Sequence, residues 1–210
     1  MIKVLDYGMG NTASMLNMIR KAGGRAELCS NPLDLASASA VILPGVGSFD
    51  NGIDKLKKSG FLEVLEKIVL VDKLPFLGVC LGMQLLFDKS EEGKSPGLGL
   101  IEGDVTRFDF ADMRSHERLK IPHMGWNLVY PKSNENLFYG LEEEARFYFV
   151  HSYHVNCTYS SDILATANYG YEFTCAVRRE NIWGAQFHPE KSHRFGIQFF
   201  KNFLKEICHA

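Results

Sequence analysis

One of the five cysteines stands where a nucleophile would stand. Cys80 lies in Pro75-Phe76-Leu77-Gly78-Val79-Cys80-Leu81-Gly82-Met83-Gln84, an apolar run, then Gly-x-Cys-x-Gly, then a helical pattern. This is the cysteine form of a nucleophile elbow, a sharp strand-to-helix turn that lifts the reactive side chain clear of the sheet. Gly78 and Gly82 fit such a turn because a side chain at either position would crowd it. Cysteine attacks as thiolate, and a helix N-terminus favours negative charge. The Leu81 N–H, first in the helix, can point at a developing oxyanion. The same segment also reads as a buried cysteine packed between strand and helix. Cys29, Cys157, Cys175 and Cys208 have no comparable setting.

A cysteine nucleophile needs a base, and the base needs a group that fixes its tautomer. Gln186-Phe187-His188-Pro189-Glu190 offers both at the end of a predicted strand. In an extended chain His188 and Glu190, two apart, point to the same side. A solvated turn before the last helix is the plainer reading. Metal binding by His188 with Glu190, or by His151 with His154, lacks the helical His-x-x-x-His spacing or the cysteine pairs of a zinc site.

The elements around these residues alternate. Apolar runs at 2–5, 26–29, 40–43 and 76–79 read as strands, and Asn11 caps a helix with apolar residues at Met15, Met18 and Ile19. Further helices are predicted over 56–70, broken at Gly60, and over 81–87. Strands alternating with helices predict an α/β fold, a doubly wound, mostly parallel sheet. The second half carries strands in quick succession, at 104–108, 128–130, 147–150, 165–167, 175–178 and 182–187. These predict an antiparallel extension, closed by a helix containing Phe199, Phe200, Phe203 and Ile207. The segment 90–96 reads as a loop, and 109–119 is charged without a motif.

Bulk properties narrow the function classes. The 210 residues suit a single domain spanning 1–210, and 46% hydrophobic residues suffice for a core. A net charge of −2 argues against a nucleic-acid partner. No run of eighteen apolar residues predicts a membrane span, and Asp6 interrupts any N-terminal signal pattern. Five unpaired-looking cysteines fit a reducing, cytoplasmic setting.

Taken together, Pro44-Gly45-Val46-Gly47, the Cys80 elbow and Gln186-Phe187-His188-Pro189-Glu190 resemble the class I (triad) glutamine amidotransferases. More narrowly, the chain resembles the glutaminase subunits of imidazole glycerol phosphate synthase, through Tyr7-Gly8-Met9-Gly10-Asn11, Pro122-His123-Met124-Gly125-Trp126-Asn127 and Lys191-Ser192. The resemblance implies a flavodoxin-like core and no cofactor. It implies that Cys80 forms a thioester with the glutamine side chain, that His188 moves the proton, and that Glu190 orients His188. Val46 and Leu81 would supply the oxyanion hole. Gly45, Gly47, Gln84, Ser152 and Tyr153 match glutamine-binding positions. Asn11, His123, Met124, Gly125, Trp126, Asn127 and Lys191 match the face that docks on a (β/α)8-barrel synthase subunit to form a heterodimer, through which ammonia passes by a tunnel.

Other readings differ in what they would require. A paralogous glutaminase supplying ammonia for surface-polysaccharide sugars would keep the triad, and the run His193-Arg194-Phe195-Gly196 departs from many histidine-pathway subunits. A flavodoxin-like electron carrier would hold FMN phosphate at Gly10-Asn11-Thr12, although Tyr7-Gly8-Met9 lacks the hydroxyl residues for it. A stand-alone cysteine hydrolase would act without a partner. A silent binding subunit has no use for an intact triad. These 210 residues are too few to hold a synthase domain as well, which supports the expectation of a second site on another polypeptide.

Overall fold

The computed structural model describes residues 1–111, 119–132, 136–141 and 144–209. Most of the charged segment 109–119 lies outside these residues. Five parallel strands form the first half of the sheet: β1 (Ile2–Leu5), β2 (Ala26–Cys29), β3 (Ala40–Gly45), β4 (Phe76–Cys80) and, late in the chain, β12 (Ile182–Ala185). Their spatial order is β2-β1-β3-β4-β12. Except for β2 at the edge, every residue of these strands is buried. That explains their continuous apolar runs, since a parallel strand is covered on both faces.

The helices provide the cover. α1 (Thr12–Lys21) and the long α5 (His193–His209) pack together on one face. Phe195, Phe199 and Phe203, four residues apart, turn one stripe of α5 into that core. α2 (Phe49–Lys58) and α3 (Phe61–Glu66) cover the other, with Leu56, Phe61 and Leu65 buried. Successive strand residues divide between the two cores: Leu77 and Val79 face one, Phe76 the other.

The second half extends the sheet in antiparallel fashion. β5 (Lys89–Ser90), β6 (Gly103–Arg107), β7 (His123–Pro131), β8 (Arg146–His151), β9 (Tyr153–Cys157), β10 (Ile163–Tyr169) and β11 (Tyr171–Arg179) complete it. The order continues β12-β11-β10-β7-β8, while β6 and β9 pair with each other and β9 reaches β11. The first short pair, β5 with β6, is parallel. Burial now alternates along β8, as expected of a strand with one buried face.

Several expected boundaries move. α2 begins at Phe49 rather than 56, and its Gly52 lies against Leu81 and Leu85, where a Cβ would sit 3.1 Å from the Leu85 side chain. Beyond α3 the chain makes a π-helical turn (Lys67–Val71) instead of a plain helix. The helix expected over 81–87 is a four-residue α4 (Leu81–Gln84). The carbonyls of Leu85, Leu86 and Phe87 accept hydrogen bonds from Leu98, Leu100 and Gly99, so a crossing segment takes the acceptors that a longer helix would use. β7 starts five residues early, at His123, and β9 and β5 were not foreseen. β12 ends at Ala185, two residues before the expected end.

Candidate active site

The C-terminal ends of β1, β3, β4 and β12 meet at one edge of the sheet, where ligands bind in open α/β folds. At the end of β4 the chain turns sharply, with Cys80 at φ 55° and ψ −112°, a region that non-glycine residues rarely occupy. The turn is tight enough to dictate its neighbours. A Cβ on Gly78 would lie 2.5 Å from the Gly82 carbonyl oxygen, and one on Gly82 would lie 1.9 Å from that of Leu43. The parallel register pairs Gly45 with Cys80, which brings the loop after β3 beside the thiol. A Cβ on Gly45 would meet Leu81 at 2.8 Å.

His188 and Glu190 are adjacent, but not in extended chain. Pro189–Lys191 forms a 3-10 turn, and within it Nδ1 of His188 lies 2.8 Å from Oε1 of Glu190. Both side chains are almost wholly buried, 2% and 3% exposed. Ser192 clamps the turn: its hydroxyl donates to the His188 carbonyl (2.6 Å) and accepts from the Tyr148 N–H (3.0 Å). Gly196 lets α5 start against this turn, since a Cβ there would fall 1.8 Å from the Pro189 carbonyl oxygen.

The chemistry of the ring follows from its two neighbours. Burial alone would pull His188 down, but negative charge at Cys80 and the Glu190 carboxylate outweigh it and raise the histidine above its ordinary value. The arrangement therefore favours the protonated imidazolium form of His188. Nε2 of His188 makes no bond of regular hydrogen-bond geometry, although negative charge at Cys80 is the largest of the influences that raise the ring against its burial. Resting catalytic contacts of this kind are often misaligned until substrate binds.

A cavity of about 240 Å³ opens over Cys80 and His188. Val46, Gly47, Leu81, Gln84, Ser152 and Tyr153 line it as well, so most of the residues expected at the site converge there. Gly45 and Glu190 are not among its lining but adjoin it, Gly45 paired with Cys80 and Glu190 bonded to His188. Four lining residues were not foreseen: Glu92, Pro122, Val150 and His151. Glu92 comes from the segment read as a mere loop, where its carboxylate accepts the Phe49 N–H at 2.8 Å. Gln186, also buried, accepts from Gln84 (3.0 Å) and stands 3.8 Å from the Cys80 sulfur.

The residues expected on the docking face divide. Met124 is exposed, and Trp126 is 44% exposed, its ring stacked on His193 at 5.5 Å. Lys191 is exposed, its ammonium 5.8 Å from the centre of the Tyr148 ring. Asn11 is exposed and caps α1 by accepting from Ser14. Gly125 and Asn127 are half-buried. His123 is a correction, because β7 turns it inward, 3% exposed, onto His151. The flavin-loop reading of Gly10-Asn11-Thr12 is not favoured either. Gly10 lies against Pro44 and Gly45, at 3.0–3.2 Å from a Cβ position, and Asn11 is committed to its cap.

The family model for glutamine amidotransferase class-I matches residues 3–207. The chain belongs to the class-I glutamine amidotransferases. Among the amidotransferase's relatives, imidazole glycerol phosphate synthase subunit HisH 2 of Pseudomonas aeruginosa is 50% identical, over 99% of this chain and 100% of that protein. The subunit of the same name from Methanococcus maripaludis is 48% identical, over 98% and 100%. Among solved structures, PurLQS from Thermotoga maritima superposes with a TM-score of 0.70 over 99% of the amidotransferase and 97% of that chain. Its 17% identity makes this a likeness of fold.

Proposed function

We propose that this amidotransferase hydrolyses L-glutamine to glutamate and ammonia, and delivers the ammonia to a synthase subunit making imidazole glycerol phosphate in histidine biosynthesis. The cavity over the Cys80–His188–Glu190 constellation carries this reading. In it Cys80 attacks the side-chain amide carbon, and the carbonyl oxygen becomes an oxyanion facing backbone N–H groups near Val46 and Leu81. His188, held by Glu190, protonates the leaving nitrogen, and ammonia departs as the thioester forms. His188 then takes a proton from water, whose oxygen attacks the thioester and frees glutamate and the thiol. Glu92 lines the cavity with a carboxylate suited to the substrate's ammonium, and Ser152 and Tyr153 line it too.

Ammonia released to water at neutral pH becomes ammonium and ceases to be a nucleophile, which is why a docked acceptor matters. The barrel form of that partner, the heterodimer and the cytoplasmic setting belong to this proposal, as does the reading of 1–210 as one amidotransferase domain. The exposed Met124, Trp126 and Lys191 supply an aromatic and cationic face for the contact. Among the described residues no helix is long and apolar enough to cross a membrane.

Glutamine labelled with heavy nitrogen at the side-chain amide tests the whole reading. With the synthase subunit and its substrate present, the label appears in the imidazole product. Label found only as free ammonium would contradict delivery, and label retained in glutamine would contradict hydrolysis.

A further inference from the structure

A line of hydrogen bonds runs from β7 to the cavity, and each of its links has only one permitted direction. Asn127 donates from its amide nitrogen to the Asn168 carbonyl (2.8 Å), while its amide oxygen accepts the Leu128 N–H (2.8 Å). Those two partners fix which end of the amide is which. The same nitrogen lies 3.3 Å from Nε2 of His123. Nδ1 of His123 lies 3.0 Å from Nε2 of His151, and Nδ1 of His151 lies 2.7 Å from the Tyr153 carbonyl oxygen. A carbonyl only accepts, so the last nitrogen carries hydrogen. A neutral imidazole has one N–H, so Nε2 of His151 accepts and Nδ1 of His123 donates. Nε2 of His123 then accepts, and the Asn127 amide supplies the donor.

Both rings must be neutral for this line to exist, because a second proton on either would set two N–H groups against each other. Burial enforces neutrality, pushing His123 down to about 4 and His151 to about 3. Packing fixes the plane of the first ring. His123 is sandwiched between Phe149 (4.9 Å) and Tyr169 (4.1 Å), both stacked, which leaves its edges for hydrogen bonding. Beyond Tyr153 the line continues, since the same carbonyl accepts from Gln84 (3.1 Å), which donates to Gln186, the neighbour of the Cys80 sulfur.

We propose that His123 is a positioning residue for the glutamine site. By donating to Nε2 of His151 it holds that ring in the Nδ1–H tautomer, whose bond to the Tyr153 carbonyl fixes the Ser152–Tyr153 corner of the cavity. The proposal rests on reading that cavity as the glutamine site. It ties the corner to the strand that presents Met124 and Trp126 on its other side. A histidine that merely filled the core would affect stability and leave substrate affinity alone.

The test uses the full chain reconstituted with its synthase subunit at saturating partner. His123→Phe preserves the stacking and removes the donor. It raises KM for glutamine about five- to tenfold, the worth of one hydrogen bond, with kcat within about twofold. His123→Asn, whose amide nitrogen can stand where Nδ1 stood, brings KM back towards the wild-type value. Should the phenylalanine variant fail to fold, His123→Gln replaces it, because its longer amide overshoots the donor position. The same KM in all variants, or a loss confined to kcat, overturns the proposal. Imidazole nitrogen NMR of the wild-type chain supplies a readout free of substrate: His151 protonated at Nδ1 is expected, and protonation at Nε2 overturns the proposal. A wild-type complex that hydrolyses no glutamine defeats the functional reading instead, which the NMR result distinguishes.

Discussion

Cys80 is held in a backbone conformation that its side chain does not favour, and two glycines make that possible. The closeness of the Gly82 position to the Leu43 carbonyl leads to a direct expectation. Gly82→Ala forces the elbow apart and destabilises the protein by about 3 kcal/mol or more, measured by urea unfolding, with loss of glutamine turnover. Unchanged stability would mean the turn is looser than its geometry indicates. Glu190→Gln keeps the shape but removes the charge that supports His188 as imidazolium, so kcat falls about a hundredfold or more with little change in fold. A kcat within a few-fold of wild type would remove Glu190 from the proposed triad. The residues of this constellation were legible because each lies in a short local pattern: an elbow around Cys80, and a histidine two residues from a carboxylate. Glu92 and His151 were not, because a crossing loop and strand pairing, rather than chain neighbourhood, bring them to the cavity.

At the level of elements, the parallel strands were the most legible part, since burial on both faces writes an unbroken apolar run. The antiparallel half is less legible. β9 (Tyr153–Cys157) mixes polar and apolar residues, and only its pairing with β6 and β11 makes it a strand. β7 is the element with most functional consequence, because its alternation sends His123 inward and Met124 and Trp126 outward. A large, half-exposed aromatic at such a position is the kind of side chain that dominates interfaces. Trp126→Ala should weaken binding to the synthase subunit by about 2 kcal/mol, roughly thirtyfold in Kd by calorimetry, while the isolated chain keeps its melting temperature within a few degrees. An unaltered Kd would move the docking face away from β7.

The whole molecule carries a pH signature of its own. His123 and His151 are neutral when folded, with values near 4 and 3, whereas unfolded histidine takes up a proton near 6.5. Between those values these two side chains bind more protons in the unfolded chain than in the native one, so their contribution to stability is complete above about 6.5 and declines as pH falls towards 4, while the raised His188 works in the opposite sense and weakens as pH rises above about 6.5. Each of His123 and His151 contributes about 2 kcal/mol to the difference between pH 7 and pH 4.5. Urea unfolding at the two values checks it, and equal stability would contradict the buried neutral pair. The fold as a doubly wound sheet with an antiparallel extension was legible in the order of apolar runs. The position of the cavity was not, because it depends on the second-half segment Val150 to Tyr153 lining the same space as Cys80 at the end of β4.

Cys80 is proposed to hydrolyse glutamine in the service of a docked synthase. Glutamate production is the direct measurement, for the wild type and for Cys80→Ala, each alone and with the synthase subunit and its ligand. Slow turnover by the wild-type chain alone, strong stimulation in the complex, and no turnover by Cys80→Ala in either state are expected. Full-speed hydrolysis without the partner, or turnover that survives Cys80→Ala, would contradict that proposal.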